Sequence, residues 1–266
     1  MNIYFFGLLI LLFLIYVFFG ISKNIAIRRD TIKSSKITKP VKLAVISDLH
    51  GFMFGNHYDV IMNILKEEKP DFVLLPGDIL DNTNKLDNSH EFMNLIKEYT
   101  VYYALGNHEY RIERLNDELN KVKNLGITLL RNEKVDYKDE IRIIGVEDVW
   151  HDTDDEDKTS AIVNNLVDES KYNILLSHRP NFINLYKKSN VDLVVSGHTH
   201  GGQWRIPFID KPIYGPDQGL FPKYVKDIHV VGGTKCYISA GLATGRSYLP
   251  RLYNPSEIGI ITLLPE

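Results

Sequence analysis

Cysteine is almost missing from this 266-residue chain, which contains Cys236 alone. A lone cysteine cannot close an internal disulfide, so no oxidising compartment is indicated. Nor is Cys236 a convincing nucleophile, because a cysteine-dependent phosphatase needs an arginine six positions further on and that position is Leu242.

An excess of positive charge is also missing, since the formal net charge is −3. Proteins that bind nucleic acid normally show a strong basic excess, so we expect no nucleic-acid partner. No glycine-lysine pair occurs, which excludes a nucleotide triphosphatase of the P-loop type. The chain has no internal repeat, and its length suits one large domain.

The N-terminus contains a long run without charge, at residues 3–22. As a helix it would be about 30 Å long, so the pattern predicts a transmembrane helix over residues 1–22. A cleaved signal peptide fits less well, because no basic residue precedes the run and no A-x-A site follows it. A buried core helix is the other alternative, but such all-round hydrophobicity is rare in a small domain.

A basic segment follows the apolar run, and we interpret residues 23–40 as a linker. Between residues 23 and 42 it contains seven lysines and arginines against Asp30 alone. Cationic flanks tend to stay on the cytoplasmic side, so the pattern predicts a single-pass protein of the cell membrane with its domain in the cytoplasm. The alternative is a solvated basic linker that touches anionic headgroups.

From residue 41 to residue 266 the chain alternates short apolar runs with helical patterns, which predicts one α/β domain. Several of the runs are continuously hydrophobic, as expected for strands covered on both faces. The predicted strands are 41–47, 72–75, 101–105, 141–146, 174–177, 191–196, 235–239 and 258–263. The predicted helices are 58–68, 88–99 and 111–125.

Metal-type ligands follow five of the predicted strands, in the segments 48–50, 77–78, 106–109, 177–178 and 197–200. Loops that leave the carboxyl ends of parallel strands converge at one edge of a sheet. Taken singly, Asp48 or Asp78 would more often be a cap or turn residue, and His178 a structural histidine. Together these segments contain five of the nine histidines, which favours a shared metal site. We expect the remaining histidines to be structural or surface residues: His57, His90, His151 and His229.

Carboxylate, amide and imidazole ligands together suit manganese, iron or zinc, and we favour manganese. Two such ions about 4 Å apart can clamp a phosphoryl group and convert a shared water into hydroxide near neutral pH. A bridging carboxylate must touch both ions. Asp78, on a tight Gly-Asp turn, is placed for that role.

These motifs match a known family. The order D-x-H, G-D, G-N-H-E, a single histidine and G-H-x-H resembles that of the calcineurin-like metallophosphoesterases, over essentially all of residues 41–266. Within that family, S-H-R-P and G-H-T-H-G-G-Q look like a branch of single-span phosphodiesterases that includes UDP-2,3-diacylglucosamine hydrolases. The resemblance implies a four-layer αββα sandwich of two mixed sheets.

The resemblance also implies a role for each matching residue. Asp48, His50 and His200 would hold one metal ion. Asn107, His178 and His198 would hold the other, and Asp78 would bridge the two. His108 would protonate the leaving oxygen without being a ligand. Glu109 and the segment 241–245 depart from the residues usual in the family, and we expect neither to touch a ligand.

The predicted activity is hydrolysis of a phosphate ester, namely a phosphodiester or pyrophosphate of a lipid-linked substrate, by a metal-bridging hydroxide. Phe52, Met53 and Phe54 follow His50, where they would form an apolar lip beside the metals or pack under a neighbouring strand. The tail aromatics that would complete the lip or join the core are Trp204, Tyr214, Phe221 and Tyr224. The alternatives are a non-catalytic metal-binding scaffold at the membrane and a nuclease of the same fold.

Overall fold

Eighteen strands and six helices are found in the computed structural model, which describes residues 3–21, 24–81, 85–148, 156–246 and 249–266. The longer strands are β1 (Ile25–Lys33), β2 (Val41–Val45), β3 (Phe72–Leu75), β4 (Val101–Tyr103), β6 (Glu133–Tyr137), β7 (Ile141–Gly145), β8 (Tyr172–Leu176), β9 (Leu193–Ser196), β14 (Asp227–Val231), β15 (Thr234–Ile238) and β18 (Ser256–Leu264). The two-residue strands are β5 (Thr128–Leu129), β10 (Arg205–Ile206), β11 (Lys211–Pro212), β12 (Tyr214–Gly215), β13 (Gly219–Leu220), β16 (Gly245–Arg246) and β17 (Leu249–Pro250). The helices are α1 (Ile3–Gly20), α2 (Asp59–Glu68), α3 (Leu86–Ile96), α4 (Leu115–Asn124), α5 (Glu156–Leu166) and α6 (Ile183–Lys188).

Two six-stranded mixed sheets form the centre of the domain. The first has the order β1-β18-β2-β3-β4-β5, with only the β18–β2 pair antiparallel. The second has the order β14-β15-β9-β8-β7-β6, with antiparallel pairs at its two edges. The continuous apolar runs of the sequence become buried parallel strands, because both of their faces are covered.

Apolar side chains pack on both faces of both sheets. Between the sheets, Val45 and Leu74 of the first share a cluster with Ile174 and Val195 of the second. Helices α2, α3 and α4 cover the outer face of the first sheet, and α5 and α6 that of the second. The mixed two-sheet fold and its helix–sheet–sheet–helix layering are as predicted.

The predicted transmembrane helix is not supported. Helix α1 has 18 residues, which at 1.5 Å per residue is about 27 Å, short of the roughly 30 Å hydrocarbon core of a bilayer. Among the described residues, no helix is long and apolar enough to cross a membrane.

The predicted linker at 23–40 is instead largely a strand. Within it, β1 pairs in parallel with β18 from Ile25 to Lys33 and forms the edge of the first sheet. Its charges face partners far away in the chain: Arg28 pairs with Asp227 and Glu257, and Arg29 with Glu68. The folded domain therefore begins at β1 rather than at residue 41.

Candidate active site

The five ligand-bearing segments follow β2, β3, β4, β8 and β9, so the site lies at the carboxyl ends of strands from both sheets. Backbone hydrogen bonds join the segments after β2 and β3. The N–H of Asp48 donates to the carbonyl of Gly77, and that of His50 to the carbonyl of Asp78, each at 3.1 Å. The convergence predicted from the strand ends is therefore present.

Six of the seven predicted ligands form two buried or half-buried clusters. One consists of Asp48, His50 and His200, and the other of Asp78, His178 and His198. In each cluster the possible ligand atoms lie within 4.8 Å of one another. The seventh residue, Asn107, follows Gly106, which lies against the Asp78 carboxylate.

The Asp78 carboxylate lies between the two clusters. Its Oδ2 is 3.6 Å from His50 Nε2 in the first cluster and 3.2 Å from His178 Nε2 in the second. Its Oδ1 accepts a hydrogen bond of 2.9 Å from the backbone N–H of His108. One oxygen is therefore fixed by the chain, and the other faces both clusters, as a bridging ligand requires.

Several predicted ligands have a buried polar atom without a hydrogen-bond partner in the described part of the chain. These atoms are Asp48 Oδ2, His50 Nε2, Asn107 Oδ1, His178 Nε2 and His200 Nδ1. Buried polar atoms nearly always have a partner, so five such atoms together call for an additional binding group. Carboxylate, amide and imidazole donors fit divalent transition-metal ions.

Electrostatics favours the protonation state that a metal needs at Asp78 and His200. Burial would raise the pKa of Asp78, but the neighbouring His178, followed by His50, holds that pKa well below its ordinary value. Burial, followed by the charges of His50 and Arg251, lowers the pKa of His200 well below its usual range. A carboxylate and a neutral imidazole are the forms that bind metal. At His178 burial would lower the pKa, but the Asp78 carboxylate raises it to about 10, so that imidazole must lose a proton to bind an ion.

The backbone is strained at the same positions. Asp48, His50, Asp78, His198 and His200 all have φ between 48° and 71°, in the left-handed region. That region is uncommon for residues other than glycine, and such strain concentrates at functional sites. These five are among 17 non-glycine residues with positive φ in the described part of the chain, so the strain accompanies the motifs but does not locate the site by itself.

Glycines next to the ligands leave room for their carboxylates. A Cβ at Gly197 would lie 2.4 Å from Asp48 Oδ2, and one at Gly241 would lie 2.6 Å from the same atom. Gly241 also has φ +68, which favours glycine. The expectation that the segment 241–245 touches no ligand is wrong, because Gly241 packs directly on Asp48.

Asp81, which the sequence motifs did not single out, connects the first cluster to His108. Its Oδ2 is 2.9 Å from His50 Nδ1 and 3.2 Å from His108 Nδ1. Burial would raise the pKa of Asp81, but its hydrogen bonds with the two histidines hold that pKa below its ordinary value. His108 is half-buried, and the Arg111 guanidinium lies 3.4 Å from its other ring nitrogen.

Glu109 also touches a ligand segment, contrary to expectation. Its buried carboxylate accepts five hydrogen bonds, from the backbone N–H groups of Asp78, Ile79, Leu80 and Gly106 and from the Tyr103 hydroxyl. It therefore joins the turn of the bridging Asp78 to the turn that carries Asn107 and His108.

A second group that motif reasoning missed lies behind His198. The Nε2–H of His198 donates to Asp217 at 2.8 Å, and the Arg179 guanidinium contacts the same carboxylate. Asp148 accepts two further hydrogen bonds from Arg179. Asp217 lies between β12 and β13, far from the motifs in sequence, so only tertiary structure reveals it.

The histidines outside the motifs serve other contacts. His57 pairs with Glu91, His90 with Glu118, and His229 faces the carbonyl of Lys226. These contacts agree with structural or surface roles, while His151 lies outside the described residues.

The predicted apolar lip after His50 does not form. Phe54 is buried in the core beside α2, and Phe52 packs against the same core beneath the Lys85 ammonium. Only Met53 is exposed. Two of the three residues therefore pack against the domain, which was the alternative interpretation.

Comparison with known proteins finds similar sequences with one kind of name. The family model described as calcineurin-like phosphoesterase matches residues 41–202. An uncharacterised metallophosphoesterase of Campylobacter jejuni is 33% identical over 94% of this chain and 67% of its own length. One of Aquifex aeolicus is 30% identical over 89% and 91%. The phosphodiesterase YaeI of Escherichia coli is 25% identical over 85% and 83%.

Solved structures agree in fold alone. The NAD nucleotidase of Haemophilus influenzae superimposes with a TM-score of 0.51 at 20% identity, over 75% of this chain and 44% of that one. TT1561 of Thermus thermophilus gives a TM-score of 0.50 at 12% identity, over 77% and 91%. At these identities the resemblance shows a shared architecture and no shared substrate.

Proposed function

Because the chain belongs to the calcineurin-like phosphoesterase family and is a metal-dependent phosphoesterase, we propose that it hydrolyses a phosphodiester or pyrophosphate bond of a lipid-linked substrate. The observation that carries the reaction type is the Asp78 Oδ2 atom, which faces ligand atoms of both clusters. The phosphodiesterase among the relatives supports a diester substrate.

The residues of the chain suit a dinuclear site. Asp48, His50 and His200 would hold one divalent ion, and Asn107, His178 and His198 the other, with Asp78 shared. Manganese is the favoured metal. When bound, such ions polarise the phosphoryl group and activate water.

His108 is positioned to act as the general acid. Asp81 holds its Nδ1 at 3.2 Å, so its other ring nitrogen points away from Asp81, on the side of the Arg111 guanidinium. A carboxylate on one nitrogen orients the ring, and the other nitrogen can then carry a proton to a leaving oxygen.

A lipid-linked substrate and a location at the cytoplasmic face of the cell membrane are parts of the same proposal. Helix α1 supports them, because its apolar side chains are largely exposed and its second half contacts the segment that follows His200. There Phe13 meets Trp204, and the Tyr16 hydroxyl donates to the carbonyl of Arg205. The basic segment supports the cytoplasmic side less than its sequence suggests, since Arg28 and Arg29 are paired within the domain.

The two rival functions have less support. A non-catalytic scaffold would be expected to lack a ligand or the proton donor, whereas His108 and all seven ligand residues are present. A nuclease would need a basic groove, and the net charge of the chain is negative.

A substrate panel tests the proposal. The purified chain, freed of metal by chelation and reloaded with manganese, is given a nitrophenyl monoester, a bis-nitrophenyl diester, a UDP-linked diacylglucosamine and the deacylated analogue of that sugar. We expect metal-dependent turnover that favours diester over monoester and acylated over deacylated sugar. Full activity without metal would contradict the reaction type, and equal kcat/KM for the acylated and deacylated sugars would contradict the lipid assignment.

Location is tested separately by protease treatment of intact cells. A cytoplasmic domain should survive until the cells are lysed, and digestion before lysis would place the domain outside.

A further inference from the structure

Two neighbouring loops after His200 expose large apolar side chains. Phe208 and Ile209 occupy the turn between β10 and β11, where Phe208 is fully exposed. Leu220, 70% exposed, and Phe221 end the next hairpin. Single exposed apolar residues are ordinary, but four at two adjacent tips form a patch that needs a partner. We call residues 206–211 and 220–223 the docking loops.

The two exposed phenylalanines of the docking loops have an unfavourable backbone conformation. Phe208 has φ 70° and Phe221 has φ 53°, both in the left-handed region that bulky residues rarely adopt. Strain and exposure are each unfavourable for a phenylalanine, and here they occur together at both tips. Such a combination is typical of segments that contact a partner.

The docking loops form one surface with α1. The Lys211 ammonium lies 4.8 Å from the centre of the Phe221 ring, which places the two tips side by side. On the other side, a groove of about 760 Å³ separates Phe19 and Ile21 from the segment that ends at Phe208. The apolar surface of α1 therefore continues into the loop tips.

The chemistry of this surface suits lipid better than protein. Residues 8–15 of α1 are consecutive, apolar and all exposed, so the helix is apolar around its whole circumference. A protein groove covers one face of a helix, whereas acyl chains cover all of them. Lys211 and Lys223 are exposed beside the tips, and Asp210 is neutralised by Arg205 and Lys226. Cations beside exposed aromatic rings complement anionic headgroups.

We propose that the docking loops insert Phe208, Ile209, Leu220 and Phe221 into the headgroup region of an anionic bilayer, next to α1. The loops are braced against the turn of His200: Arg205 donates to the carbonyl of Gly201 at 2.7 Å, and Pro212 packs on Gly202. Docking would hold the mouth of the metal site close to the lipid surface. This inference deepens the proposed function and rests on it for a lipid-linked substrate, although lipid binding itself needs no turnover.

Site-specific fluorescent labelling tests the insertion in the full chain. The single native thiol, Cys236, is 3% exposed and its pKa is raised by burial to about 12, so it should not react. Phe208→Cys and Phe221→Cys are labelled with an environment-sensitive dye. The control is Val230→Cys in β14, because Val230 is 70% exposed on the edge of the second sheet. The probes are phosphatidylcholine vesicles with and without one third phosphatidylglycerol.

We expect a blue shift at positions 208 and 221, larger with phosphatidylglycerol, and none at position 230. Three results would overturn the proposal. One is vesicle-bound protein whose labels at 208 and 221 do not shift, which would mean that α1 binds alone. Another is an equal shift at 230. The third is a shift that needs no vesicles and grows with protein concentration, which would indicate a second copy as the partner.

A binding measurement completes the test. Phe208→Ser/Ile209→Ser should weaken partition to the anionic vesicles by at least about tenfold, because two large apolar contacts are lost, while Val230→Ser should not. Unchanged partition in the double variant would contradict the proposal. Turnover of the soluble bis-nitrophenyl diester should stay at the wild-type level. If the dyes shift on vesicles but the protein hydrolyses none of the acylated compounds, the docking is established and the substrate assignment is refuted.

Discussion

The contact of Asp217 with His198 allows a prediction about metal binding and stability together. Asp217 accepts the Nε2–H of His198, which leaves Nδ1 as the ring nitrogen available to a metal. Asp217→Asn keeps the size of the side chain but removes the charge that fixes this tautomer. Outer carboxylates of this kind are worth about 10–100-fold in metal affinity, so we expect that loss for one of the two ions.

The stability term follows from the pKa of Asp217. The hydrogen bond from His198, followed by the charges of His198 and Arg179, lowers that pKa from 3.8 to about 2 despite partial burial. The shift corresponds to roughly 2.5 kcal/mol, which we reduce to about 1–2 kcal/mol because the carboxylate is a quarter exposed. A lowered acid pKa stabilises the fold above pH ~4, and this contribution disappears as the pH falls towards 2.

The assay is urea unfolding of the metal-free proteins at pH 6 and pH 3, combined with titration of manganese at pH 7. The variant should be less stable than the wild type by about 1–2 kcal/mol at pH 6, and the difference should shrink at pH 3. Asp227→Asn, an exposed partner of Arg28, is the matched control and should change stability by at most about 1 kcal/mol without affecting metal affinity. Wild-type manganese affinity in Asp217→Asn would refute the positioning role.

Other changes separate the remaining roles. Asp78→Asn should reduce metal content from near two ions per chain to below one, measured by mass spectrometry, because both clusters lose a shared charge; two retained ions would contradict bridging. His108→Asn should keep its metals but lower kcat by roughly 10²–10⁴. The effect should be smaller on nitrophenyl esters, because their leaving group needs little protonation. Loss of a metal would mean that His108 is a ligand. Glu109→Gln should lower the free energy of unfolding of the metal-free protein in urea by about 2–4 kcal/mol, because a glutamine NH₂ group cannot accept from the two N–H groups that now face Oε2. The control is Glu113→Gln at an exposed position. An equal effect in both variants would contradict the role of Glu109.

The central strands and the metal motifs could be predicted from sequence for one physical reason. Strands β2, β3, β8 and β9 are almost entirely buried, so apolar residues dominate each of them, with Lys42 in β2 and Asn173 in β8 as the interior exceptions. A polar residue after such a run signals the end of the strand. Because those ends converge, short local patterns were enough to locate a site assembled from five distant segments.

Strand β1 could not be predicted in the same way. It is an edge strand, and its sequence IAIRRDTIK has three consecutive charged residues in place of a continuous apolar run or a strict alternation, so it looks like a linker. Two of the three carboxylates that pair with Arg28 lie about 200 positions away, at Asp227 and Glu257, while the third, Asp30, is on the same strand. Tertiary contacts thus pair arginines that look unpaired in the sequence. For the same reason the basic segment says little about membrane orientation.

The residues that support the metal ligands were hidden for a related reason. Asp81, Asp148 and Asp217 are ordinary acidic residues in loops, and nothing in their local sequence separates them from surface carboxylates. What separates them is the buried cation or imidazole that each one meets: His50 and His108 for Asp81, Arg179 for Asp148, and His198 for Asp217. Motifs identify the candidate ligand atoms, whereas the charges that orient those atoms come from loops that are distant in sequence and close in the fold.

Backbone strain connects these levels of the structure. Five predicted ligands adopt left-handed φ values, and each such residue costs on the order of 1–3 kcal/mol, so together they cost an amount comparable to the net stability of a typical domain. Glycine or asparagine would adopt this conformation at a lower cost. Here the glycines stand next to the ligands instead, where they make room for the Asp48 and Asp78 carboxylates. The strained backbone aims carboxylates and imidazoles from both sheets at one point. Hydrogen bonds that Asp78, His50 and His198 donate to Glu109, Asp81 and Asp217 keep them there before any ion binds.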